Sequence, residues 1–89
     1  KDYIVGIEII CNDRNGMLAE LLAVPAEMKV NIHTVNATPN RRNKTSTVLL
    51  GLNVSNIDQV TQVMTKMRLL KDVYRVTRTI GSSALPGGD

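Results

Sequence analysis

The sequence predicts one α+β domain with the element order β-α-β-β-α-β, and three observations carry that expectation. Apolar residues alternate with a period of two in three stretches, they recur at helical spacing in two others, and polar turn clusters separate them. A chain of 89 residues has room for a single hydrophobic core.

The first strand is expected over Tyr3–Cys11, where Val5, Ile7, Ile9 and Cys11 alternate with Gly6, Glu8 and Ile10. The polar run Asn12-Asp13-Arg14-Asn15-Gly16 ends it, with Gly16 free to take backbone angles that a Cβ resists. From Met17 to about Met28, Leu18, Leu21, Leu22, Pro25 and Met28 fall on one side of a helix, and Pro25 predicts a kink or an early end. A second strand follows over Asn31–Thr38 with Ile32 and Val35 as its apolar points, and residues 39–44 read as a polar hairpin connection. The third strand, Thr45–Val54, is β-branched and sets Val48, Leu50, Leu52 and Val54 against Thr47, Leu49, Gly51 and Asn53, the pattern of a central strand. Ser55 with Asp58 suggests a capping box that opens the second helix, whose apolar stripe is Ile57, Val60, Met64 and Met67. The last strand is expected over Val73–Ile80, with Tyr74, Val76 and Ile80 on one face and Arg75, Thr77 and Thr79 on the other. Residues 81–89 have no period and read as a flexible C-terminal tail after a domain of residues 1–80. This order is that of the ferredoxin-like plait, a four-stranded antiparallel sheet in the order 4-1-3-2 with both helices on one face. The second and fourth strands are then free edges, and pairing with a second copy is the expected way to cover one of them.

Composition narrows the function classes. Hydrophobic residues make up 43% and charged residues 21%, the balance of a folded globule, and no apolar run approaches the ~20 residues of a membrane span. Lys1 stands first with neither a leader nor an initiator Met, so the chain is expected to be a fragment of a larger cytoplasmic protein. A single cysteine, Cys11, permits no internal disulfide, and with His33 as the one histidine no metal set can be assembled from one chain. No nucleophile with a base in a known spacing and no phosphate-binding glycine loop is present, so no catalytic residues, cofactor or metal are expected. Phe and Trp are absent, which leaves the central strands without aromatics for stacking single-stranded bases.

The residues resemble a known family at this point. Asp13-Arg14-Asn15-Gly16-Met17-Leu18 is similar to the D-R-P-G-L-L turn of ACT domains, with Asn15 in place of Pro, and Val30-Asn31-Ile32 is similar to the V/I-N-I that opens their second strand. Lys29 stands where a helix-terminating Gly is common. The stretch from Leu70 to Arg78 most resembles the C-terminal ACT domain of the RelA/SpoT family of (p)ppGpp synthetase/hydrolases, in its V-x-x-V-x-R ending. The resemblance covers Tyr3 to about Ile80. It implies a non-catalytic regulatory domain of a stringent-response enzyme, sensing amino-acid or ribosome status through a homodimer interface. An RNA- or ribosome-docking module without a small ligand, and an ACT domain of an amino-acid metabolic enzyme, are the alternatives.

Two constellations carry these readings. The turn Asp13–Leu18 brings unpaired backbone N–H groups and the positive end of a helix dipole together, which suits a carboxylate, while Asp13 suits an ammonium group. The resemblance implies that Cys11, Asn12, Asp13, Arg14, Gly16, Met17, Leu18, Asn31 and Ile32 line an amino-acid site. Cys11 lies where some amino-acid binders have a hydrogen-bonding side chain, which points to a branched-chain ligand. The plainer reading makes Asp13 a helix cap, Gly16 a turn residue and Asn31 a maker of backbone bonds. Arg41, Arg42 and Lys44 crowd the hairpin and suit RNA or another polyanion, or simply keep an edge strand soluble. Across the open face, Arg75 and Glu8 are in position to pair.

Overall fold

A computed structural model describes residues 1–79; the expected end of the last strand at Ile80 and the tail of residues 81–89 lie outside them. The elements are β1 (Tyr3–Asn12), α1 (Met17–Glu27), β2 (Asn31–Asn40), β3 (Thr45–Val54), α2 (Ile57–Arg68) and β4 (Val73–Arg78). The sheet is antiparallel in the order β2-β3-β1-β4, the expected 4-1-3-2 plait. Its centre is β1 against β3, with Val5, Ile7, Ile9 and Cys11 facing the helices beside Leu52, Leu50, Val48 and Ser46. These side chains pack under Met17, Leu21 and Val24 of α1 and Val60, Val63, Met64 and Met67 of α2.

Both helix ends differ from the local reading. At the start of α2 the cap is Asn56, whose Oδ1 accepts from the Gln59 N–H at 3.2 Å. The longer Gln59 side chain reaches back so that its Oε1 accepts from the Asn56 and Ser55 amides, a closed capping box that the Ser55/Asp58 pair does not form. The cap sits one residue later than expected, and the buried stripe is Val60, Val63, Met64 and Met67, with Ile57 exposed at the first helical position. At the other end, α1 runs two residues beyond Pro25. The Val30 N–H then bonds the Pro25 carbonyl and the Lys29 N–H bonds the Ala26 carbonyl, a Schellman ending with Lys29 at φ 61. Lysine thus occupies the left-handed position that glycine fills more easily, and the buried Val30 and Pro25 anchor it.

Each edge strand contains one extra residue. On β2 the register slips at His33, between Ile32 opposite Leu52 and Thr34 opposite Gly51, which turns Val35 to the same face as Ile32. Val35 nevertheless remains 43% exposed, because only the first part of β2 packs on the core. Pro39 and Asn40 are paired with Ser46 and Thr45, so β2 is two residues longer than the periodicity indicated and the hairpin turn is residues 41–44. On β4 the slip at Tyr74 lets Val73 and Val76 share the buried side and puts Tyr74 out to solvent, 59% exposed, contrary to the expected Tyr74–Val76 face.

Candidate functional site

The end of the sheet where β1, the β2–β3 hairpin and the α2–β4 turn meet holds a cavity of about 210 Å3. Its floor is a row across three strands, Cys11 on β1, Ser46 on β3 and Pro39 on β2, in direct register. Val48 and Ala37 form the next row, Met17 and Leu18 from the first turn of α1 close the roof, and Asn12, Asp13 and Arg14 form the rim. Six of the nine residues expected from the sequence therefore converge. Gly16 does not line the cavity; it is the N-cap of α1 at φ 83, and no side chain caps that end, so Asp13 is not a helix cap. Asn31 and Ile32 lie at the opposite end of β2, paired with Asn53 and Leu52, about 20 Å along the strand from Ala37. Within one chain they do not reach the cavity.

Ala37, Pro39, Ser46 and Val48 were not anticipated. Pro39 carries a loop signal in the sequence, yet it pairs with Ser46 on β2, since an edge strand tolerates proline. Ser46 had a signal, because it continues the two-residue phase of Val48, Leu50, Leu52 and Val54 with a polar side chain.

The rim is held from both flanks. The Asp13 N–H bonds the Lys44 carbonyl and the Asn12 N–H bonds the Asp72 carbonyl, each at 2.9 Å. Arg14 spans the gap, its Nε on Asp72 Oδ2 at 2.7 Å and its two terminal nitrogens on Glu20 at 2.9 and 3.2 Å. Those hydrogen bonds hold the Glu20 and Asp72 carboxyls below their ordinary range and fix the positive charge of Arg14 more firmly. Arg14 borders the cavity with its guanidinium already engaged, so its first role is to tie the α1 turn to the α2–β4 turn. Burial, reinforced by Asp13, pushes the Cys11 thiol up, and it stays protonated at neutral pH. At the start of α1 the Met17 N–H bonds the Arg14 carbonyl at 3.1 Å and the Glu20 N–H bonds the Gly16 carbonyl at 3.0 Å, which leaves the Leu18 and Ala19 N–H groups without an acceptor among the described residues.

Arg41, Arg42 and Lys44 are exposed on the hairpin turn, and among the described residues none forms an ion pair. The turn is shaped by asparagines: Asn40 Oδ1 accepts from the Arg42 N–H, and Asn43 Oδ1 accepts from both the Thr45 N–H and hydroxyl. The end of α2 and the start of β4 add Arg68, Lys71 and Arg75 at the same end of the molecule. Arg75 and Glu8 do not pair among the described residues. Nor do the described residues contain a cluster of three or more metal-ligating side chains or a helix long and apolar enough to cross a membrane.

A plait of this topology with a turn-and-cavity site beside its first helix defines a class of small regulatory domains, and the ACT domain family matches residues 1–78. The chain belongs to the ACT family. More particularly, it is similar to the ACT domains of GTP pyrophosphokinases. The crystal structure of the ACT domain from GTP pyrophosphokinase of Chlorobium tepidum superposes with a TM-score of 0.76 at 32% identity, covering 89% of this chain and all of that one. GTP pyrophosphokinase of Escherichia coli K12 is 25% identical over 80 residues, which is 90% of this chain and 11% of the relative. The Haemophilus influenzae enzyme is 23% identical over 74 residues, 83% of this chain and 10% of the relative. The chain thus spans about a tenth of the length of these curated relatives. A homoserine dehydrogenase from Thiobacillus denitrificans shares the fold with a TM-score of 0.72 at 18% identity.

Proposed function

We propose that the chain is the regulatory ACT domain of a cytoplasmic (p)ppGpp synthetase/hydrolase and that it takes a small amino acid at an interface between two copies. The observation that carries this reading is the cavity beside α1, open along the uncovered half of β2. Antiparallel pairing of two β2 edges would bring Asn31 and Ile32 of the partner subunit to the side of the cavity that one chain leaves open. The ligand carboxylate would meet the Leu18 and Ala19 amides in the first turn of α1, its ammonium group Asp13, and a branched aliphatic side chain Met17, Val48 and Ala37. A ligand held in this way favours the paired state only by the difference in its affinity for the two states, and that difference is what would reach distant catalytic domains.

The test is a titration of isotope-labelled protein with valine, leucine and isoleucine, with mass followed by light scattering. Saturable amide shifts over residues 12–18 and at Asn31 and Ile32, together with a rise toward the dimer, are expected. Absence of shifts at millimolar concentrations of all three overturns the branched aliphatic ligand. A second reading, docking onto structured RNA, is favoured by the unpaired cations of the hairpin beside Arg68, Lys71 and Arg75. A gel shift lost on joint Arg41→Ala and Arg42→Ala substitution supports it. The 32% identity to the Chlorobium domain supports a (p)ppGpp-synthesising parent over an amino-acid metabolic enzyme.

A further inference from the structure

Ser46 is the single buried polar side chain among the described residues, 8% exposed, and it lies on a strand face that is otherwise Val48, Leu50, Leu52 and Val54. A hydroxyl placed among apolar neighbours is costly unless bonded. Its proton goes to the Thr38 carbonyl at 3.4 Å, a long contact that leaves the lone pairs of the oxygen unused. The neighbouring Cys11 thiol does not use them, because it is directed at the Ser46 main-chain carbonyl, 3.7 Å away. On the other side in register stands Pro39, which has no N–H to offer. The floor of the cavity therefore presents one hydrogen-bond acceptor among Cys11, Val48, Ala37, Pro39 and Met17.

We infer that Ser46 sets the side-chain specificity of this cavity, selecting a small branched amino acid that carries a hydroxyl, threonine, over its isostere valine. The inference rests on the reading of the cavity as an amino-acid site. The hydroxyl of the ligand donates to Ser46 Oγ while its methyl group packs on the apolar walls, so the two ligands fill the same space and differ in one hydrogen bond. Desolvating Ser46 under a methyl group of valine leaves that oxygen with no donor, and a site built to receive a hydroxyl discriminates against the analogue lacking it.

L-threonine and L-valine, titrated separately into the wild-type chain and Ser46→Ala and followed by amide shifts and calorimetry, test this. The wild type is expected to bind threonine roughly tenfold or more tightly than valine. In Ser46→Ala the ratio should fall to about one, with valine binding as well as before or better; an unchanged amide spectrum away from the cavity shows that the variant folds. Equal or tighter valine binding in the wild type, or a threonine preference that survives in Ser46→Ala, overturns the specificity role and leaves the amino-acid site standing. Binding of neither ligand by the folded wild type overturns the amino-acid reading itself, and this inference with it.

Discussion

β2 and β4 are both edges of the same sheet and both contain one bulged residue, yet among the described residues a side chain covers β4 alone. β4 has six residues, and the guanidinium of Arg68 at the end of α2 donates to the outward-facing carbonyl of Val76 at 2.8 Å. Tyr74 swings out at the bulge, Arg75 follows it, and a shallow notch of about 300 Å3 replaces a flat edge. Short length, a bulge, charge and a covering side chain are the means by which edges are kept from pairing. β2 has ten residues, among the described residues no covering helix over its second half, and Val35, Ala37 and Pro39 exposed on the helix side. The contrast teaches that the two crossovers of a pseudo-symmetric plait need not protect its edges equally, and that the unguarded edge is also the one beside the cavity.

The largest expected effect is on association. If β2 is the pairing edge, Val35→Asp lowers self-association at least tenfold, about 1.4 kcal/mol, and light scattering falls from twice 9.8 kDa to 9.8 kDa. Arg75→Asp on β4 leaves the dimer intact. A dimer that survives the first change and dissociates with the second reverses the assignment of the edges. Arg68→Ala sharpens the same point, since uncovering the Val76 carbonyl is expected to add a second, concentration-dependent association.

An intermediate effect concerns the clasp that joins the cavity rim to the start of β4. Hydrogen bonds from Arg14 hold Glu20 and Asp72 below their ordinary values of 4.5 and 3.8. Carboxyls depressed in the native state stabilise the fold above those values, and the contribution is lost as pH falls through the lower native ones. The thermal midpoint should therefore drop more steeply below about pH 4.5 in the wild type than in Asp72→Asn, whose midpoint at neutral pH is already lower. Parallel acid profiles would show that the Arg14–Asp72 half of the clasp contributes nothing to stability.

The smallest effect separates the two turns. Lys44 ends the β2–β3 hairpin at φ 58 and Asp72 precedes β4 at φ 72, both in the left-handed region. Lys44→Gly relieves that conformation without removing an ion pair and should raise stability by up to about 1 kcal/mol in denaturant unfolding. Asp72→Gly relieves the same conformation but breaks the bond to Arg14, so it should lower stability. A rise in stability from both changes would mean that backbone strain, not the Arg14 clasp, governs the α2–β4 turn.

Element order, the central β1–β3 pair and most of the core were legible in the sequence because each rests on a short-range period. Val5, Ile7, Ile9 and Cys11 on β1 and Val48, Leu50, Leu52 and Val54 on β3 keep strict alternation from end to end. The readings that failed lie where the period breaks. The expected Tyr74–Val76 face gives way to Val73 with Val76, three residues apart, a spacing that no regular strand puts on one face and that Ile32 with Val35 shares on β2. The bulges at His33 and Tyr74 do so, and a bulge is fixed by the partner strand. The Asn56–Gln59 box was a matter of one residue in phase, and Gln59 prevailed because its longer side chain reaches back to two amides.

By itself, then, the sequence determined the plait, its strand order, its family resemblance and the turn Asn12–Leu18 as the place to look. Tertiary structure alone decided which residues meet there. It put Pro39 and Ser46 across the floor, occupied Arg14 with Glu20 and Asp72, and left Asn31 and Ile32 at the far end of β2. It also gave Arg68 to one edge and, among the described residues, left the other uncovered. Strand periodicity and helix spacing depend on neighbours a few residues away, whereas a cavity and a guarded edge depend on register between segments tens of residues apart, which only the folded sheet sets.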